Sequence, residues 1–92
     1  METYEWDASK HIHTADDVRA YLNIVLEEND PVALVQALGT VARSAGMTQI
    51  ARETGLTREG LYTSLGKKGN PSFATVAKVL AALGLKLQVE WA

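Results

Sequence analysis

Arg58, Glu59, Tyr62 and Thr63 stand at i, i+1, i+4 and i+5, a spacing that sets four polar side chains along one side of a helix. Thr57 precedes them, where a helix takes a side-chain oxygen to satisfy its free amides. Such a strip suits the reading of base edges. Arg58 can offer two donors to O6 and N7 of guanine, a bidentate contact that discriminates by roughly 1 to 3 kcal/mol. Glu59 can accept from cytosine N4 or, as a carboxylate in the first turn, stabilise the helix dipole. Thr57 is first a cap and second a contact. Tyr62 can touch a phosphate or a thymine methyl, or cover the neighbouring loop. Catalysis finds no footing here: no nucleophile is paired with a base, no carboxylates pair at a credible spacing, and no metal cluster is present, so no enzyme is expected.

The strip belongs to Met47–Leu65, MTQIARETGLTREGLYTSL, which reads as two short helices about a glycine-centred turn, a helix-turn-helix. Ile50, Ala51, Leu56, Leu61 and Leu65 fall on packing faces, and Gln49, Arg52, Arg58, Glu59, Tyr62 and Thr63 are left outward. Thr48 and Thr57 are the expected caps, and Gly55 the left-handed residue that ends the first helix. Leu56 and Leu61 flank Thr57 with the spacing of a hydrophobic staple. Gly60 implies a close approach, to the first helix of the motif or to DNA, with packing the preferred reading. Gln49 is placed to meet a phosphate, and Lys67, Lys68 and Asn70, in the loop after the second helix, to neutralise phosphates without reading sequence. GKKGN lacks the full Walker spacing, so no nucleotide and no cofactor is expected.

Three more helices must hold this motif. Thr14-Ala15-Asp16-Asp17 makes a capping-box-like start to the first, with Val18, Tyr21, Leu22, Val25 and Leu26 inward. Asp30 as cap and Pro31 at the first position open the second, which runs to about Ala45 with Leu34, Leu38, Val41, Ala42 and Ala45 inward; Gly46 closes it. Ser72 caps the fifth, whose buried side is Phe73, Val76, Leu80 and Leu83, and Gly84 ends it. The termini read differently. Leu85–Trp91, LKLQVEW, alternates apolar and polar residues as a half-buried strand does, and Tyr4 and Trp6 alternate about Glu5. A lone strand needs a partner, from the other terminus or from another subunit. The C-terminal strand and the apolar side of the fifth helix are the parts expected to form a homodimer, since one motif covers only half an operator and two recognition helices must stand ~34 Å apart.

The 92 residues suffice for one domain, spanning 1–92. Cysteine is absent, which removes disulfides and thiolate zinc sites and fits a cytoplasmic address. No signal peptide or membrane-spanning run is expected. His11 and His13 have no nearby third ligand, so no metal is assigned to them. The formal net charge of −2 opposes an approach to phosphates, but its distribution does not. Residues 1–30 carry eight acids against Lys10 and Arg19, a net of −6, whereas residues 43–70 carry five bases against Glu53 and Glu59, a net of +3. The basic end can face DNA and the acidic end a basic protein, unless the acids simply solubilise the first helix.

The run from Gly46 to Leu87 resembles the addiction-module antidote family, the helix-turn-helix antitoxins of the HigA kind within the lambda-repressor-like (Xre) group. The resemblance is carried by ALGTVARSAGM (Ala37 to Met47), TGLTREGLY (Thr54 to Tyr62) and GNPSFATV (Gly69 to Val76), with YL at Tyr21 and Leu22 and WD at Trp6 and Asp7. It implies a mainly α, five-helix lambda-repressor-like DNA-binding domain, to which the terminal strands would add a short β element. It also implies an antitoxin that represses its own operon and binds a small RelE/HigB-like toxin, usually a ribosome-dependent mRNA endonuclease. A stand-alone Xre-type repressor of the same fold is the alternative.

Overall fold

The computed structural model describes residues 14–91. Five helices follow in order: α1 (Ala15–Glu27), α2 (Pro31–Ala45), α3 (Met47–Thr54), α4 (Arg58–Ser64) and α5 (Phe73–Ala82). This mainly α arrangement is consistent with a lambda-repressor-like fold. None of these helices is long and apolar enough to cross a membrane. The expectations for Tyr4, Trp6, Asp7, His11 and His13 lie outside the described residues.

Local chemistry starts four of the five helices. Thr14 and Asp17 form a reciprocal box, each side-chain oxygen accepting the other's backbone N–H at 3.1 Å. Asp30 Oδ1 accepts from the Val32 and Ala33 amides, with Pro31 already holding the φ that a first helical turn needs. Thr57 Oγ1 accepts from Gly60 N–H at 2.9 Å, and Ser72 Oγ from Thr75 N–H at 3.1 Å. α3 begins otherwise. Thr48, expected as its cap, lies inside the first turn, because Gly46 both ends α2 and begins α3. With φ 112° and ψ 108°, Gly46 occupies backbone space that a side chain would oppose, so the two helices meet with no linker between them.

α3 is the hub. It packs against α2, α4 and α5, while α1 lies on α2. Ala37, Leu38, Val41 and Ala42 of α2, Met47, Ile50 and Ala51 of α3, Leu61 and Leu65 from the α4 region, Val79 and Leu80 of α5 and Leu22 of α1 form one buried cluster. Each large member contributes roughly 1.5 to 3 kcal/mol over leaving it in water. At Gly39, buried on α2, a methyl group would lie 2.5 Å from the Leu65 carbonyl oxygen, so α2 reaches the end of α4 only because that position has no side chain.

Several expected inward positions are not inward. Leu26 and Ala45 are exposed and Phe73 is 71% exposed, because they sit on end turns that reach past their neighbours; Val79, fully buried, holds α5 instead. The expected strand at 85–91 is also corrected. Leu85 N–H donates to Leu80 O at 2.8 Å as α5 closes, but residues 86–91 make no backbone hydrogen bond and 85–91 form no strand among the described residues. Leu85 packs against the core and the chain then departs from it, with Val89 97% and Trp91 99% exposed. A period-two pattern defines a face, but a ladder requires a second backbone.

Candidate nucleic-acid interface

α4 is held from beneath by Leu61, 0% exposed, and by Leu65 at its C-cap, 1% exposed. Leu56, partly buried, packs against the same core. The turn between α3 and α4 is tied by Thr54, whose Oγ1 donates to Ile50 O at 2.8 Å and accepts from Leu56 N–H at 3.3 Å. Gly55, at φ 75°, turns the chain. These contacts bury one side of α4 and leave the other to solvent.

Arg58, Glu59, Tyr62 and Thr63 are all exposed on that other side. The Arg58 guanidinium lies over the Tyr62 ring, 5.5 Å from its centroid, in a cation–π arrangement. Tyr62 keeps 43% of its surface accessible. Glu59 occupies the first turn, where its charge complements the helix dipole. The packing expected of Gly60 on α3 is corrected: Gly60 is exposed, and a methyl group there would meet no α3 atom within 4 Å but would lie 2.8 Å from Thr57 Oγ1. The close approach it permits is to its own helix cap.

The exposed Gln49 on α3 already has a partner, since its Nε2 donates to Glu53 Oε2 at 2.8 Å. After α4 the chain folds into a tight turn in which Gly69 N–H donates to Gly66 O at 3.0 Å. Lys67 and Lys68 occupy the corner and Asn70 follows; all three are exposed. Beside this turn lies a recess lined by Gln36, Thr40 and Arg43 of α2 together with Leu65, Gly66 and Lys67. Within it Arg43 Nη2 donates to Thr40 Oγ1 at 3.4 Å, and Thr40 Oγ1 to the Gln36 carbonyl at 3.1 Å. Sequence reasoning missed this trio. Its signal was present, since 36, 40 and 43 share one side of α2 at i, i+4 and i+7, but only the approach at Gly39 puts that side next to Lys67.

Arg58, Glu59, Tyr62 and Thr63 on α4, Gln49 on α3 and Lys67, Lys68 and Asn70 after α4 are thus all exposed, and Arg43 of α2 lines one recess together with Lys67. A short polar helix mounted across another and backed by a closed core defines the helix-turn-helix class of protein. The family whose description is "Probable addiction module antidote protein" matches residues 2–91, and the chain belongs to it. Its members are antidotes, a binding class and not a catalytic one. A Haemophilus influenzae protein described only as uncharacterized is 44% identical over 86 residues, covering 94% of this chain and 89% of the relative. No solved structure matches the chain.

Proposed function

We propose that this antidote is a homodimeric autorepressor that reads its operator through α4 and neutralises a RelE/HigB-like toxin through a separate surface. The observation that carries the DNA-binding half is the exposed strip Arg58, Glu59, Tyr62 and Thr63 on a helix fixed by a wholly buried Leu61. In this reading Arg58 contacts a guanine, with Thr57, Glu59, Tyr62 and Thr63 beside it in the major groove. Gln49 and the first turn of α3, which has no side-chain cap, meet the phosphate backbone, joined by Lys67, Lys68 and Asn70. Those contacts position the protein and Arg58 specifies the sequence.

Support for a second surface comes from the acids. Asp16, Glu27, Glu28 and Asp30 are exposed on or beside α1, and α1 makes its main contact with α2. That charge suits a basic partner, as a toxin acting on ribosome-bound RNA would be. The test is to co-express the chain with the product of the adjacent reading frame, purify through a tag on the antidote, and assay RNA cleavage. A stoichiometric complex whose cleavage activity is suppressed is expected, and Arg58→Ala should leave that complex intact. A neighbour that neither binds nor cleaves RNA would overturn the toxin assignment in favour of a stand-alone repressor.

A further inference from the structure

The segment after α5 holds an unused symmetry. Lys86, Leu87, Gln88, Val89, Glu90 and Trp91 run out from the core without helix or strand, and their backbone groups have no hydrogen bond among the described residues. Leu87, Val89 and Trp91 would share one face of an extended chain, and Lys86, Gln88 and Glu90 the other. Large apolar side chains exposed to this degree beside unpaired amides mark a surface that awaits a backbone.

We infer that this segment pairs with the same segment of a second copy, as an antiparallel two-stranded ribbon whose two-fold axis passes through Gln88. The register follows from charge. Antiparallel pairing about residue 88 sets Lys86 of one copy opposite Glu90 of the other, twice by symmetry, and sets Leu87 opposite Val89 and Leu85 opposite Trp91. A shift of one residue moves every apolar side chain to the wrong face, and a shift of two removes both ion pairs. In-register parallel pairing would set Lys86 against Lys86 and Glu90 against Glu90, which repel. Of these pairings, only the antiparallel one centred on Gln88 satisfies both faces. The inference deepens the homodimer reading above and rests on it, naming the surface that joins the two readers.

The absence of cysteine from the chain makes the test direct. Opposed residues in an antiparallel pair have Cα atoms roughly 4.5 to 5.5 Å apart, within reach of a disulfide. Gln88→Cys should therefore cross-link to a covalent dimer on mild oxidation, without DNA. Lys86→Cys should not, because its two copies would be offset by four residues, about 14 Å. Separately, Lys86→Glu should weaken dimerisation about tenfold in a sedimentation dilution series, and Lys86→Glu combined with Glu90→Lys should restore it. Equal cross-linking at 86 and 88 would mean a parallel pair and would overturn the proposal. So would a Gln88→Cys chain that stays uncross-linked, as expected were the N-terminus or the toxin to cover this segment. If that uncross-linked variant still dimerises and binds its operator, the interface fails and the proposed function stands.

Discussion

The Arg58 guanidinium carbon sits 5.5 Å from the centroid of the Tyr62 ring, one helical turn further along α4. An exposed contact of this kind is worth about 0.5 to 1 kcal/mol, enough to bias where the guanidinium points before DNA arrives. Arg58→Ala should weaken operator binding by about 1 to 3 kcal/mol and relax one base position, measured by titration against operators varied one base at a time. Tyr62→Leu should reproduce part of that loss at the same base, while Tyr62→Phe, which keeps the ring, should preserve the preference. If Tyr62→Leu weakens all operators evenly, the tyrosine acts on the phosphate backbone and not through Arg58.

Lys67 stands exposed at the corner of the turn after α4, with no side-chain partner among the described residues. Its replacement by alanine should lower affinity for specific and random duplexes alike and reduce the salt slope by about one unit. A series of titrations across salt concentration reads both effects. Arg43→Ala should show the same signature if the recess beside Lys67 follows a phosphate strand.

Gln49 is bound to Glu53 at 2.8 Å in the free protein, so reaching a phosphate means releasing that carboxylate. Glu53→Gln removes a negative charge from the basic region and replaces the charge-assisted bond to Gln49 with a weaker neutral one. Operator and random-sequence affinity should both rise, by about two- to tenfold at low salt, and the gain should shrink as salt increases. Unchanged affinity at low salt would place Gln49 away from the duplex.

Gly39→Ala tests how α2 is joined to the end of α4. Alanine is favoured over glycine inside a helix by about 1 kcal/mol, yet here the added methyl meets the Leu65 backbone oxygen, which cannot swing aside. Overpacking of this kind costs about 1 to 3 kcal/mol. A lowered midpoint in urea is expected. Because Leu65 anchors α4, operator binding should fall in the variant even where it remains folded. A rise in stability would show that helix propensity outweighs the contact.

The helix-turn-helix was legible before any coordinates because its signals are local. Thr14, Asp30, Thr57 and Ser72 each cap a helix by bonding an amide two or three residues away, so a short window of sequence contains the whole interaction. Thr48 misled because it imitates that signal, whereas Gly46 starts α3 through a backbone conformation that leaves no mark in side-chain chemistry. Periodicity gives the direction of each apolar stripe but not where the bundle stops, so Leu26 and Phe73 lie on inward stripes yet stand in solvent. The exposed polar residues of α4 could be listed one by one. Arg43, however, comes beside Lys67 only through a contact between α2 and Leu65 that neither stretch announces alone.

Gly46, the single residue serving as the end of α2 and the start of α3, leaves no linker between the two helices. On the proposed reading, a toxin held at the acidic end would meet no linker between α2 and α3 through which to swivel the helices against each other, and its effect on DNA binding would act through the geometry of the pair. Operator affinity would then respond to the distance between two unbending readers, as calipers respond to their pivot rather than to their tips.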